Sequence, residues 1–145
     1  MNKKIIKYAF SVAKKEIFLK YGFFIKRCIN LPYIISFVIT ERCNARCKSC
    51  NLWKNIDKSK ELSTQECKDI LYNLKNFAPG CAINFTGGEP FVREDFFEIL
   101  KYANSLGFYT TIISNGLILD KKNCDLLIET DVDYINFSID SIQPH

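Results

Sequence analysis

Three cysteines, Cys43, Cys47 and Cys50, stand within eight residues in the spacing CxxxCxxC. Three thiolates that close together can wrap one small metal centre. On a cubane iron–sulfur cluster they would leave the fourth iron open to a ligand that is not protein. Sites that perform chemistry keep such a position, whereas structural sites close it. Arg42, Arg46 and Lys48 lie among the cysteines and would offset the negative charge of a thiolate-bound cluster. A structural zinc site is the alternative. Zinc wants four ligands in paired spacing, and the fourth would have to come from Cys28, Cys67, Cys81, Cys124 or the only histidine, His145.

Three further polar clusters follow. Thr86-Gly87-Gly88-Glu89-Pro90 has two adjacent glycines that let backbone approach a ligand closely, and Glu89 with its neighbouring carbonyls could accept hydrogen bonds from an ammonium group. Read alone, the segment is a tight strand-to-helix turn before it is a ligand site. Ser114-Asn115-Gly116 is an ordinary turn signal by itself. In Phe137-Ser138-Ile139-Asp140-Ser141, Ser138 and Asp140 alternate with apolar residues and so share one side of a strand.

The elements that must position these groups alternate in type. Tyr33 to Thr40 is an apolar, β-rich run that reads as a buried strand, and the cysteines follow directly on its end. Ser63 to Phe77 reads as a helix, opened by a capping box (Ser63 with Glu66) and stopped by Pro79-Gly80; Cys67, Ile70, Leu71, Leu74 and Ala78 form its inward stripe. Cys81 to Thr86 is the next strand. A helix over about 94–106 turns Phe96, Ile99, Leu100 and Ala103 inward, with Gly107 past its end. A strand over Tyr109 to Ile113, a helix over about 120–129 and a strand over Tyr134 to Ile139 complete the order βαβαβαβ. Such alternation implies an α/β fold with a parallel sheet. An eight-stranded barrel needs roughly 250 residues. This chain of 145 residues therefore reads as a partial (β/α) barrel of about four parallel strands, incomplete at its C-terminus. Four polar motifs then fall at the C-terminal ends of four successive strands, the face that carries the active site in such barrels.

CxxxCxxC after the first strand of a parallel barrel resembles the signature of the radical S-adenosylmethionine superfamily, and the resemblance covers residues 33–145. Ser49 stands where an aromatic residue often precedes the third cysteine, while Trp53 follows shortly after, as in a common variant. The resemblance implies a [4Fe-4S] cluster on Cys43, Cys47 and Cys50 and bound S-adenosyl-L-methionine. Gly87, Gly88 and Glu89 would receive its amino group, Asn115 would lie near the adenosine, and Ser138, with Asp140 beside it, would meet the carboxylate or ribose. A one-electron donor such as flavodoxin or ferredoxin would reduce the cluster, the cofactor would be cleaved to methionine and a 5′-deoxyadenosyl radical, and the radical would abstract hydrogen from a peptide, lipid-like or small-molecule substrate. No residue is singled out as a catalytic acid or base. Related enzymes continue with an arginine for the cofactor carboxylate and two further strands.

Composition bounds the rest. The sequence is 48% hydrophobic and 25% charged, as a globular domain is. Its net charge of +4 is uneven: residues 1–27 carry eight Lys or Arg against Glu16, and the remainder carries 12 basic and 15 acidic residues. A uniform nucleic-acid binder would not look like this, and none is expected as a partner. An odd count of seven cysteines without an apparent signal peptide points to a reducing cytoplasm. The longest charge-free stretch, Cys28 to Thr40, is too short to span a bilayer. Residues 1–30 form a separate basic segment before a core of residues 31–145. Within it, residues 4–26 read as an amphipathic helix with Ile6, Phe10, Ala13, Ile17, Tyr21 and Phe24 at helical spacing. That helix has three readings: a cap on the barrel, a peripheral contact with an anionic membrane, or a docking segment for a partner. For the whole chain, a radical enzyme is weighed against a non-catalytic cluster-binding fragment and a zinc-binding interaction module.

Overall fold

The computed structural model describes residues 3–25, 32–54 and 60–139. Eight main elements follow in order: α1 (Lys3–Ile25), β1 (Ile34–Thr40), α2 (Thr64–Phe77), β2 (Ala82–Gly87), α3 (Phe96–Ser105), β3 (Tyr109–Ser114), α4 (Lys121–Thr130) and β4 (Tyr134–Phe137). The strands form one sheet in the order β1-β2-β3-β4, every neighbouring pair parallel. Sequential strands laid side by side with a helix between each are how a (β/α) barrel begins.

Local chemistry explains the boundaries. Ser63 caps α2 with the full capping box to Glu66, Asp120 caps α4 by accepting from the Asn123 N–H at 2.8 Å, and Gly107 takes a positive φ of 79° just past α3. Cys67, Leu71 and Ala78 of the predicted α2 stripe are buried, with Ile70 and Leu74 packed against them, and all four inward residues predicted for α3 are buried. These helices cover one face of the sheet, where Phe37 and Ile39 of β1, Ile83 and Phe85 of β2 and Ile112 of β3 complete the core. Phe37, Phe85, Phe96 and Phe91 run through it with ring centroids 6.0, 5.6 and 5.3 Å apart.

Three expectations change. The first strand is not buried on both faces: Ile34 and Val38 are exposed, because alternate residues point to the face that no described helix covers. That bare face is mixed: Ile34 and Val38 flank a polar row of Ser36, Asn84 and Thr111 in register, with the Thr111 hydroxyl donating to Asn84 Oδ1 at 2.8 Å. The last strand stops at Phe137 instead of Ile139, since its partner β3 ends at Ser114, opposite Phe137, and beyond that pair only the Ser138 N–H still bonds to it. Helix α1 meets the N-terminal ends of the strands, with Tyr8 stacked on Tyr109 at 4.8 Å and the buried Lys15 donating to Pro32 O at 2.6 Å. Yet Ile6, Phe10, Ala13 and Ile17, four residues of the apolar stripe that a cap would bury, are exposed, while the Tyr21 and Phe24 side chains lie outside the described ones.

Candidate cluster and cofactor site

Cys43, Cys47 and Cys50 all belong to the loop that leaves β1 at its C-terminal end. Cys43 and Cys50 are half-buried and Cys47 is exposed, all three as free thiols. The loop is internally braced: Cys50 N–H donates to Cys47 O at 3.2 Å, and Trp53 Nε1 donates to the same carbonyl at 3.2 Å. Two N–H groups address the first sulfur, Ala45 N at 3.4 Å and Asn115 Nδ2 at 3.8 Å from Cys43 Sγ. Such donors are what adjust the potential of a thiolate-bound metal centre. Among the described residues no three His, Cys, Asp or Glu side chains are close enough to hold a single metal ion. A cubane cluster asks for less, because it takes its three thiolates on three separate irons. Cys67 and Cys81 are in the core, where burial pushes their thiols above the ordinary range, and Cys124 is on the surface of α4. Neither buried thiol belongs to the loop. Cys28 and His145 lie outside the described residues.

The second motif is joined to this loop by backbone. Gly88 N–H donates to Thr40 O and Glu89 N–H to Arg42 O, each at 2.8 Å. A Cβ on Gly88 would stand 2.1 Å from Arg42 O, and one on Gly87, whose φ is 130°, 2.1 Å from Thr40 O. The glycines thus let two stretches of backbone pass each other. The close approach read from the sequence is made first to the cysteine loop.

Glu89 is 1% exposed, and both carboxylate oxygens are engaged. Oε1 accepts from Ser114 Oγ at 2.9 Å and from Phe91 N at 3.3 Å, while Oε2 accepts from Asn115 N at 2.8 Å. An incoming ammonium would therefore meet neighbouring carbonyls before this side chain. Asn115 in turn donates from Nδ2 to Asn44 Oδ1 at 2.8 Å and accepts from Leu117 N at 2.9 Å. Ser138 N–H donates to Ser114 O at 2.9 Å, so the fourth motif joins through its backbone while its side chain is exposed. The four rims form one chain of hydrogen bonds, closed by Asn115 on the cysteine loop. Asp140 lies outside the described residues.

Sequence reasoning missed the groups beneath the loop. Arg93 is 4% exposed and donates to Ile39 O at 2.9 Å, to Leu62 O at 2.7 Å, and through two nitrogens to Asp95 at 2.6 and 2.8 Å. It pins both ends of the segment that carries the cysteines. The Arg93 guanidinium, helped by the Thr64 hydroxyl at 2.5 Å, holds the Asp95 carboxyl down to about 2. Glu61 accepts from the Thr40 hydroxyl and pairs with Arg42 at 3.0 Å. Partial burial pushes Glu61 up, but the hydrogen bonds from Arg42 and Thr40 outweigh it and leave its carboxyl below the usual range. Arg42 is thereby matched already, which leaves Arg46 and Lys48 as the exposed cations to face a cluster. Asn44 was also missed. No sequence signal marks it, because its partner Asn115 is 71 residues away.

Comparison with known proteins fits this arrangement. The chain is 37% identical over 115 residues to an S-adenosylmethionine-dependent nucleotide dehydratase of Selenomonas ruminantium, an alignment covering 79% of this chain and 41% of that protein. It is 30% identical over 115 residues to a PqqA peptide cyclase of Bradyrhizobium diazoefficiens, covering 79% of this chain and 30% of the relative. The chain thus spans less than half the length of either. Among solved structures, BtrN in complex with AdoMet and 2-DOIA superposes with a TM-score of 0.64 at 20% identity, over 73% of this chain and 45% of BtrN, a likeness of fold. The family model for the Radical SAM superfamily matches residues 37–145. That match runs from within β1 to the last residue and takes in all four rim motifs, so the chain belongs to the radical SAM superfamily, whose members use a [4Fe-4S] cluster and S-adenosylmethionine on a partial or complete (β/α) barrel.

Proposed function

We propose that this chain carries the cluster and cofactor half of a radical SAM enzyme, with Cys43, Cys47 and Cys50 as the three protein ligands of a [4Fe-4S] cluster. One observation supports this best: the cysteine loop is hydrogen-bonded to the second rim, and the second rim to the third, through Gly88, Glu89 and Asn115. A cofactor that must touch an open iron and lie across several strand ends needs those ends held in a common frame. When bound and reduced, the cluster supplies the electron that divides S-adenosylmethionine into methionine and a 5′-deoxyadenosyl radical, which takes a hydrogen atom from the substrate.

This chain's residues bind and orient. The backbone at Gly87 and Gly88 and the carbonyls around Glu89 receive the methionyl amine. The Glu89 side chain holds Ser114 and Asn115 in place, Asn115 faces the adenosine side and Cys43, and Ser138 completes the rim. Arg46 and Lys48 lower the cost of a negative cluster and give a reducing partner of the flavodoxin or ferredoxin kind a basic surface to approach. The relatives' names specify a nucleotide and a peptide.

The test is anaerobic reconstitution of the full chain with iron and sulfide, followed by reduction. A [4Fe-4S]⁺ paramagnetic signal that changes on adding S-adenosylmethionine is the expected result, together with loss of most of the iron in Cys47→Ala. Full iron in Cys47→Ala would overturn the ligand assignment. A signal indifferent to the cofactor would overturn the cofactor site and leave a cluster-binding fragment.

A further inference from the structure

Between Lys4 and Lys15, the described side chains by which helix α1 meets its domain are mostly polar. The residues that meet the strand ends are Lys4, paired with Asp131 at 3.1 Å, Tyr8 on Tyr109, Ser11 beside Gly80, and Lys15, while Glu16, the helix's one acidic residue, accepts from Tyr33 OH at 3.1 Å. At 3.6 residues per turn, Ile6, Phe10, Ala13 and Ile17 share the opposite side. Ile6 is 46%, Phe10 73% and Ile17 70% exposed. The usual logic of an amphipathic helix is inverted, with an apolar stripe presented to the surroundings.

Charge says what covers it. Exposed Lys3 and Lys20 sit three residues from Ile6 and Ile17 and so border the stripe on its two sides, with exposed Lys7 nearby. Lysines at the start of a helix oppose its dipole, and α1 has no acidic residue in its first turn and no basic residue in its last. Helix stability therefore does not account for this placement. A second copy laid stripe to stripe would bring the exposed Lys3, Lys7, Lys14 and Lys20 of each helix toward those of the other. An anionic lipid surface instead meets the cations with its headgroups and the stripe with its acyl boundary. The helix spans about 35 Å, yet no described helix is both long and apolar enough to cross a membrane.

We propose that α1 is an in-plane anchor that docks the chain on an anionic bilayer through Ile6, Phe10, Ala13 and Ile17, independently of the cluster chemistry. The helix sits at the N-terminal strand ends and the cysteine loop at the C-terminal ones, so the docked chain turns its rim away from the lipid toward soluble partners.

The experiment is flotation of the full chain with vesicles of equal phosphatidylglycerol and phosphatidylcholine, and with phosphatidylcholine alone. Binding to the anionic vesicles only, weakened by salt, is expected. Phe10→Ser with Ile17→Ser, both at exposed positions, should lower the affinity about a hundredfold in total, and Lys3→Gln and Lys7→Gln about fivefold each, with helix content unchanged by circular dichroism. Three results would overturn the proposal: no binding to anionic vesicles, equal binding by the Phe10/Ile17 variant, or a solution dimer that this variant splits into monomers, which would give the stripe to a second copy.

Discussion

Replacing Gly88 by alanine isolates the contact between the second rim and the cysteine loop. Its φ is not in the left-handed region, so the substitution brings no backbone penalty of that kind. The new methyl would meet Arg42 O at 2.1 Å, Arg42 C at 2.6 Å and Glu41 O at 2.7 Å, all backbone atoms, where ordinary contact begins at 3.4 Å. No side chain can swing aside, so the strands must part by roughly an ångström or the loop must move. Overpacking of this kind costs about 1–3 kcal/mol. Stretching the Gly88–Thr40 and Glu89–Arg42 hydrogen bonds adds about 1 kcal/mol each. A total of about 3–5 kcal/mol lowers the melting temperature of a chain this size by roughly 10–20 °C. Urea unfolding of the reduced, metal-free chain reads the effect without the cluster, and iron retained after reconstitution reads the displacement of Cys43. Gly116→Ala is the control: its methyl would meet only the Phe137 ring, at 3.3 and 3.5 Å, although its φ of 74° carries some strain. Stability of Gly88→Ala within about 0.5 kcal/mol of the parent, a change typical of a bland surface site, would refute the argument that these glycines exist for backbone passage.

Asp95 makes the chain acid-sensitive. Its carboxyl is held at about 2 against an ordinary 3.8, so its contribution is present above the unfolded value and lost as pH falls from about 4 through about 2. The loss amounts to roughly 2 kcal/mol, and Asp95→Asn should cost about 3 kcal/mol at neutral pH by leaving buried Arg93 without its anion. An acid-unfolding profile identical in parent and variant would show that the Arg93–Asp95 pair does not hold the loop. Glu89→Gln places a donor where Ser114 or Asn115 already donates and should cost about 2 kcal/mol in urea unfolding of the metal-free chain. An unchanged midpoint would mean that the carboxylate is not what ties the second rim to the third.

The order of elements was legible because its signals are local. Ser63 with Glu66, Gly107, and the apolar periods of α2 and α3 each act within a few residues, and each lies where the pattern put it. The cysteine spacing is equally local, and it carried the resemblance to the radical SAM superfamily that the family match bears out. What the sequence could not express is which distant groups meet. Glu89 reads as a free acceptor until β3 delivers Ser114 and Asn115 to it, 25 and 26 residues on. Gly88 reads as a ligand contact until the β1 loop occupies the space its side chain would need. No local signal marks Arg93 or Asp95, yet the assembled sheet buries the arginine against Ile39 O and Leu62 O. Helix α1 carries the same lesson in reverse. Its period announced a helix, but a stripe of Ile6, Phe10, Ala13 and Ile17 says only that something apolar belongs there. The tertiary structure decided that the domain takes the other face, because the strand ends offer Asp131, Tyr109 and Pro32 O, partners for Lys4, Tyr8 and Lys15 rather than for the apolar stripe.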